Sequence, residues 1–304
     1  MIRPPAAQGY RHRHVGAAPA TVTNVAVPSP LGALLTRLID YAGLFPPAGL
    51  SMEAAVEAYA AHRESESSFA LARFVTPVAR LEEFAAVLPT DPRARWPVSA
   101  IAGDDPQAAV RAIQAFNERH RGRAIIDALE TRAVLGAVDG LTRYIEIPID
   151  GDLAGVAASG ARAKVRTGGL TADKFPAATK VAGFLHDCFE AGVAFKATAG
   201  LHHPLRSVRP FTNEPASPTG WMHGFVNLFL AAGLARHGVS EGELAELLEE
   251  TSPASFRVEA DGMGWSRHVL TTEEIRETRE QFAISFGSCS FEEPIEDLRR
   301  LGWL

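Results

Sequence analysis

The sequence predicts a single α/β domain folded as a (β/α)8 barrel. Its 304 residues are 46% hydrophobic and 22% charged, enough to bury a large core. From residue 35 onward, short β-rich runs alternate with longer amphipathic stretches, which is typical of βα units on a parallel sheet. Eight such units can be counted, and a series of this length fits a closed barrel better than an open doubly wound sheet. The sequence contains no dinucleotide fingerprint and no P-loop.

The predicted strands are short runs rich in apolar and β-branched residues. They cover residues 35–42, 69–76, 97–103, 123–130, 143–149, 162–168, 193–200 and 281–287. The clearest helix lies between the sixth and seventh strands, where Val181, Phe184, Leu185 and Cys188 repeat at helical spacing before Gly192. Cys188 is therefore predicted to lie in the core.

Three segments make up the predicted domain organisation. Residues 1–30 mix Pro, Ala, Arg and His without periodicity and are predicted to form a disordered tail. Residues 31–304 form the single barrel domain. Within it, residues 201–280 are a long insertion after the seventh strand, with a Pro-rich loop, two helical stretches and a segment that reads like a hairpin. Such an insertion covers the active face as a lid, or is a surface decoration or oligomer contact.

The amino-acid composition limits the classes of partner that the protein is expected to bind. The net charge of -6 gives no general attraction to nucleic acid or to an anionic membrane. The longest apolar run, residues 224–235, is too short to span a bilayer. Two distant cysteines make no disulfide framework, which favours a reducing cytoplasm. A small-molecule substrate is the expected partner, and a homo-oligomer is left open.

Candidate catalytic residues lie at the carboxyl ends of the strands, where (β/α)8 enzymes bind their substrates. Strand parity places Lys164 with Arg166 on one side of the sixth strand, and Lys196 with Thr198 on one side of the seventh. A lysine in an apolar barrel beside another cation has a lowered pKa, which leaves a neutral amine able to attack a carbonyl. Alternatively, both lysines pair with carboxylates and only tie the barrel together. The other candidates at these strand ends are Asp40, Asp127 or Glu130, Glu146, Gly287, Ser288 and Cys289.

Five short segments carry a family resemblance. They are KVRTGG at 164–169, AFKATAG at 194–200, LIDYAGLF at 38–45, FGSCS at 286–290 and, more weakly, IIDALE at 125–130. They resemble the sixth-, seventh-, first-, eighth- and fourth-strand motifs of the deoxyribose-phosphate aldolases. The family's sixth strand reads Lys-Thr-Ser-Thr-Gly and its seventh reads Phe-Lys-Pro-Ala-Gly-Gly. The matches occur in the right order, so the resemblance spans the barrel.

The resemblance implies a class I aldolase-like lyase that acts on a small sugar-like or carboxylated carbonyl substrate without a cofactor. It implies Lys164 as the Schiff-base lysine and Lys196 as the neighbouring cation that favours a neutral amine. Asp127 is implied as the proton-transfer carboxylate and Asp40 as a supporting polar residue. Glu146 or a histidine is a further candidate to carry protons.

The chain departs from the family pattern in two places. Arg166 stands where the family has a serine, and a guanidinium there can clamp a carboxylate or a phosphate. After Gly200 the chain reads Leu-His-His-Pro in place of the family's phosphate-binding residues. The eighth strand still leads into a predicted helix whose backbone N–H groups suit an anion. The predicted substrate-binding residues are Arg166, Thr198, His202, His203, Gly287, Ser288 and Cys289.

Two other hypotheses remain. His202 or His203 at the barrel mouth, with His223, Glu146 or Asp40 nearby, would hold a divalent metal in a metal-dependent or acid/base isomerase or hydrolase. The two histidines are not part of an HxH or HExxH spacing, and adjacent residues on an extended chain point oppositely, so no metal ligand is assigned. In the third hypothesis the barrel is non-catalytic and its lysines are salt-bridged.

Overall fold

The computed structural model describes residues 29–90, 95–212 and 214–304. Most of the predicted tail, residues 1–28, lies outside the described residues. The strands are β1 (Ile39–Tyr41), β2 (Leu71–Pro77), β3 (Trp96–Ile101), β4 (Ala124–Thr131), β5 (Thr142–Ile147), β6 (Arg162–Arg166), β7 (Phe195–Thr198), β8 (Ser207–Pro210), β9 (Thr219–Met222), β10 (Phe256–Val258), β11 (Gly262–Trp265), β12 (His268–Thr271) and β13 (Ala283–Ser288). The α-helices are α1 (Pro30–Leu35), α2 (Met52–Glu64), α3 (Leu81–Val87), α4 (Pro106–His120), α5 (Ala154–Ser159), α6 (Ala178–Glu190), α7 (Phe225–Arg236), α8 (Glu241–Glu249), α9 (Thr272–Gln281) and α10 (Glu292–Arg300).

Eight parallel strands close into a barrel in the order β1-β13-β7-β6-β5-β4-β3-β2, and helices alternate with most of them. The predicted (β/α)8 barrel is therefore confirmed. The connection from β4 to β5, residues 132–141, is described throughout and contains no helix. The fourth of the eight units is thus a strand followed by a loop.

The first strand begins at Ile39, four residues later than predicted. The preceding apolar residues belong to α1, which begins with a strong helix start. The Ser29 side chain accepts a hydrogen bond from the backbone N–H of Gly32 at 2.9 Å, and Pro30 occupies the first helical position. Such a cap satisfies a free N–H group, and proline is preorganised for that position.

Aromatic side chains fill the layer between the barrel and helices α2 to α4. Phe74 of β2 stacks on Phe84 of α3 with ring centroids 5.0 Å apart, and Tyr59 of α2 contacts Trp96 of β3 at 4.7 Å. Close aromatic packing of this kind contributes beyond the area that it buries. The core therefore fixes the outer helices against the strands that carry the site.

The segment between β7 and β13, which contains the predicted insertion, forms a hairpin, a group of helices and a small sheet in different parts of the fold. The hairpin β8–β9 lies at the barrel mouth, where its connecting residue Phe211 lines a cavity. Helices α7 and α9 pack against β13. Strands β10, β11 and β12 form an antiparallel sheet that contacts α1, α7 and α9. The hairpin predicted in this segment is present as β11–β12. In the described residues no helix is long and apolar enough to cross a membrane.

Arg279 of α9 is buried and connects α1 and the residues that follow it to the start of β13. Its Nε atom donates to the carbonyl of Leu34 at 2.7 Å, and Nη2 lies 3.3 Å from the carbonyl of Thr36. Nη1 donates to the carbonyls of Ala283 and Ile284 at the start of β13. Charge-assisted bonds to buried carbonyls leave costly unpaired groups when the donor is removed.

We expect Arg279→Met to lower the free energy of unfolding by about 3 kcal/mol, because several buried carbonyls lose their donor. Urea denaturation followed by circular dichroism measures this change. Arg276→Met is the matched control, since Arg276 lies on the same helix but pairs with Glu273 and Glu280 on the surface. Equal denaturation midpoints for the two variants would contradict this role for Arg279.

Candidate active site

The two lysines predicted from the sequence are direct neighbours in the barrel. Lys164 of β6 pairs with Lys196 of β7 in the parallel register, and Arg166 pairs with Thr198 one step further along. Both lysine side chains are buried, with 4% and 1% of their surface exposed. Buried ammonium groups need charged partners, because desolvation otherwise makes the ionised form expensive.

One carboxylate bridges the two lysines. Glu130 at the end of β4 contacts Lys164 Nζ through Oε2 at 2.7 Å and Lys196 Nζ through Oε1 at 2.8 Å. Ser99 of β3 donates its hydroxyl to the same Oε1 atom at 2.8 Å. Glu130 is itself buried, so its position is fixed by these three groups. It therefore holds the lysines at a set separation.

Asp40 of β1 completes the deeper part of the cluster. Its Oδ2 atom accepts from Lys196 Nζ at 2.5 Å and from the Ser285 hydroxyl at 2.8 Å. Its Oδ1 atom accepts from the backbone N–H of Arg73 at 3.0 Å. Asp40 thus stabilises the charged form of Lys196.

The electrostatics keep Lys196 and Glu130 ionised. Burial lowers the pKa of Lys196, but the carboxylates of Asp40 and Glu130 outweigh it, and the net pKa is raised. Burial raises the pKa of Glu130, but the charges of Lys164 and Lys196 outweigh it, and the net pKa lies well below the usual range. Lys196 is therefore a permanent cation beside Lys164 at neutral pH.

Glu146 at the end of β5 links Lys164 to the barrel exterior. Its Oε2 atom lies 2.8 Å from Lys164 Nζ, and its Oε1 atom lies 3.1 Å from Arg166 Nε. Burial raises the pKa of Glu146, but the charges and hydrogen bonds of Lys164 and Arg166 outweigh burial, and the net pKa is lowered. The side chain is 15% exposed, which gives the buried lysine a route to solvent.

A cavity of about 280 Å³ opens above the lysines at the carboxyl ends of the strands. Lys164, Lys196 and Glu130 lie at its floor, and the predicted residues Arg166 and Thr198 line it. Its apolar lining residues are Ala42, Phe45, Pro46, Pro47, Val75, Ile101, Leu170 and Phe211. A mostly apolar cavity with a few convergent polar groups is typical of a small-molecule site.

The backbone after β7 is constrained where it borders this cavity. Ala199 and Gly200 both adopt positive φ values, 63° and 76°. The Thr167 hydroxyl donates to the Ala199 carbonyl at 2.9 Å. A Cβ atom on Gly168 would lie 2.8 Å from the Cα atom of Gly200, so the two glycines allow the strand ends to approach closely. A non-glycine residue with positive φ at a cavity wall is a common feature of functional sites.

The three histidines occupy different surroundings. His202 lines the cavity, and its Nδ1 atom lies 3.0 Å from Glu293 Oε2. The Nδ1 atom of His203 lies 2.6 Å from Asp297 Oδ2, and its Nε2 atom lies 3.9 Å from Glu293 Oε1. His223 is bonded through Nε2 to the Pro176 carbonyl at 2.8 Å. The structure thus brings His202 to the lysine cavity and places His203 in a neighbouring one.

Asp127 lies away from the lysines. It forms a bidentate pair with Arg73 at 2.6 and 2.9 Å, beside Arg37 and Arg95, residues that precede the first and third strands. The register between β3 and β4 shifts between Val98 and Ser99, so that Asp127 is skipped in the pairing. Asp127 therefore lies toward the amino-terminal end of the barrel. Glu130 occupies the position beside the lysines that the resemblance implied for Asp127.

The end of β13 presents a mixed environment. Gly287 and Cys289 line the lysine cavity, whereas the buried Ser288 hydroxyl accepts a hydrogen bond from the backbone N–H of Ser290 at 3.3 Å. Burial raises the pKa of the Cys289 thiol, which keeps it protonated. The first turn of the following helix carries Glu292 and Glu293. Their charges oppose the binding of an anion at this helix terminus.

Comparisons with known proteins add no support to the resemblance to the deoxyribose-phosphate aldolases, which depends on the short sequence motifs alone. The chain matches no protein-family model, no curated protein sequence and no solved structure. Within the described ranges, no three or more His, Cys, Asp or Glu side chains are grouped so as to hold a metal ion. The fold and the geometry of the lysine cluster are therefore the basis for a functional proposal.

Several residues of the cluster were absent from the predicted site. Ser99 and Ser285 carry no motif, and their role is visible only once the barrel brings β3 and β13 to Glu130 and Asp40. Arg132 follows β4 and lies 3.7 Å from Glu146. The sequence indicated Glu130 only by its position at the end of the fourth strand, and Asp127 in the same short motif was an equal alternative.

We expect Glu130→Gln to destabilise the protein by about 3–5 kcal/mol at pH 7, because two buried ammonium groups lose a shared carboxylate. The folded-state pKa of Glu130 is lowered, so its contribution is complete above the unfolded value of about 4.3 and decreases as the pH falls below it. The difference between wild type and variant should therefore shrink below about pH 4. Urea denaturation at several pH values measures it.

Glu82→Gln is the control, since Glu82 pairs with Arg119 on the surface. Its denaturation midpoint should stay close to that of the wild type. A Glu130→Gln effect that stays constant from neutral to acidic pH would show that the charge of Glu130 is not the source of the stabilisation.

Proposed function

We propose that this protein is an aldolase-like lyase that forms a Schiff base between Lys164 and a small carbonyl substrate. The proposal is carried by one observation: the Nζ atom of a buried lysine lies at the floor of an open cavity, beside a second, permanently charged lysine. The cavity lies at the carboxyl ends of the strands, where (β/α)8 enzymes carry their active sites.

The chemistry proceeds in balanced steps. The neutral Lys164 amine adds to the substrate carbonyl, and loss of water leaves a protonated imine. A base then removes a hydroxyl proton from the substrate, and the adjacent C–C bond breaks with its electron pair moving to the imine nitrogen. Protonation of the resulting enamine and hydrolysis release the second product and restore the amine. Glu146 and His202 are the proposed proton carriers. Glu146 contacts Lys164, and His202 lines the cavity.

Lys196 has a distinct role in this proposal. An amine attacks a carbonyl only in its neutral form, and Lys164 contacts the carboxylates of both Glu130 and Glu146. Lys196 binds one oxygen of Glu130 at 2.8 Å and so competes for that carboxylate. It is a positioning and electrostatic residue, and the covalent bond is assigned to Lys164.

A non-catalytic barrel is the second candidate, favoured by the pairing of each lysine with two carboxylates. Lys164 contacts Glu130 and Glu146, and Lys196 contacts Asp40 and Glu130, all within 2.8 Å. Such pairing alone suits a structural cluster. The open cavity next to it supports the enzymatic proposal, because a purely structural cluster has no need of one.

We expect reduction with cyanoborohydride in the presence of small aldehydes and ketones to give a covalent adduct on Lys164. Peptide mapping by mass spectrometry locates the modified lysine. Lys164→Ala should abolish the adduct, whereas Lys180→Gln, at a solvent-exposed lysine paired with Asp150, should leave it unchanged. Modification spread over exposed lysines, or equal labelling of wild type and Lys164→Ala, would favour the non-catalytic barrel.

We expect Lys196→Met to slow adduct formation at pH 7 by about tenfold or more, because Lys196 no longer competes with Lys164 for the carboxylate of Glu130. A higher pH should restore the rate, because the neutral fraction of an amine rises with pH. Lys196→Arg keeps the positive charge and should retain more activity. A loss of rate that persists at every pH in folded Lys196→Met would mean that Lys196 acts only through structure.

A further inference from the structure

A second cleft, of about 600 Å³, lies outside the ends of β5 and β6 and adjoins the lysine cavity. Four cationic side chains line it: Arg132, Arg166, Lys174 and Lys180. Arg166 lines both spaces, and Glu146 lines the cleft while reaching Lys164. Glu146 and Arg166 therefore connect the lysine cavity with this cleft.

Two of the four cations are neutralised locally. Lys174 lies 2.9 Å from Asp173, and Lys180 lies 2.9 Å from Asp150. The other two, Arg132 and Arg166, converge on a single oxygen, Oε1 of Glu146, at 3.7 and 3.1 Å. Their side chains are 82% and 56% exposed, so their remaining N–H donors face the cleft and solvent. These two guanidinium groups are therefore the ones free to bind an anion.

The charges of the whole cluster leave one positive charge unmatched. Once the proposed imine forms, its cations are the protonated imine at Lys164, Lys196, Arg132 and Arg166, and its carboxylates are Asp40, Glu130 and Glu146. A single negative charge on a ligand balances this set, whereas a phosphate at neutral pH carries about 1.5 to 2. The opposite side of the cavity, near Glu292 and Glu293, repels anions.

We infer that the cleft is a carboxylate subsite, and that the substrate of the proposed Lys164 chemistry is a 2-oxo acid. The single carboxylate of Glu146 already spans Lys164 at 2.8 Å and Arg166 at 3.1 Å. A short substrate spans the same two cations when its carboxylate is next to the carbonyl carbon. The carboxylate accepts hydrogen bonds from Arg132 and Arg166, a pairing suited to planar guanidinium groups. This inference rests on the proposed function, and the experiment separates the two.

Pyruvate and hydroxyacetone are the matched probes, because they differ only by a carboxylate in place of a hydroxymethyl group. Cyanoborohydride trapping is followed against probe concentration, and the adduct is located by mass spectrometry. In the wild type, pyruvate should half-saturate trapping at a concentration at least about tenfold lower than hydroxyacetone. Arg166→Gln and Arg132→Gln should raise the pyruvate value about 10-fold to 100-fold relative to the hydroxyacetone value of the same variant.

Arg119→Gln is the control, since Arg119 pairs with Glu82 on the surface of α4 and does not line the cleft. If Arg166→Gln does not fold, the exposed Arg132→Gln still provides the test. Equal trapping of both probes, or equal losses for both in the arginine variants, would overturn the carboxylate subsite while leaving Lys164 chemistry intact. Preferential trapping of dihydroxyacetone phosphate would also overturn it.

Failure of every probe to label Lys164 would instead remove the proposed function. Calorimetry with lactate, which has no carbonyl to form an imine, then tests the subsite on its own. Binding of lactate to the wild type that is lost in Arg166→Gln supports the carboxylate subsite. Absence of lactate binding to the wild type contradicts it.

Discussion

The shared carboxylate of Glu130 is the interaction on which the site depends. It receives Lys164 on one oxygen and Lys196 on the other, so one acidic side chain at the end of β4 joins the neighbouring strands β6 and β7. Buried charges are tolerated only when paired, and breaking such a pair costs several kcal/mol. The same carboxylate contacts the Nζ atom that the proposed reaction uses. The stability of the barrel and the proposed reaction therefore depend on a single residue.

The barrel mouth is electrostatically divided, and this division gives a substrate a direction. On the β5–β6 side, Arg132 and Arg166 face the cleft, while on the β13 side the first turn of α10 carries Glu292 and Glu293. An anionic group is attracted to one side and repelled from the other. In the proposed reaction, this division directs the acidic end of the substrate toward β5 and β6, and the other end toward His202 and the hairpin residue Phe211.

The sequence predicted the barrel well because its strands are separate apolar runs, and period-two runs between amphipathic helices identify parallel strands. It also predicted Lys164 and Lys196 as neighbours, since both lie at the same depth on adjacent strands. It did not resolve the choice between Asp127 and Glu130, because a register shift between β3 and β4 decides which of them reaches the lysines. Contacts such as Ser285 with Asp40 join residues 245 positions apart, and no local pattern specifies them.

The cluster of buried lysines and carboxylates is not the arrangement that would give the barrel the greatest stability. Replacing a buried ion pair by apolar residues of similar volume is often neutral or stabilising, so a buried network of charges is a poor way to gain stability alone. Here the network opens onto a cavity, its backbone wall at Ala199 is held at positive φ, and its outer end at Arg132 and Arg166 carries an unmatched charge. A structural cluster is best closed, relaxed and neutral. This one is open, constrained and charged, and the proposed ligand, an anion that enters the cavity and reacts at Lys164, accounts for each of those properties.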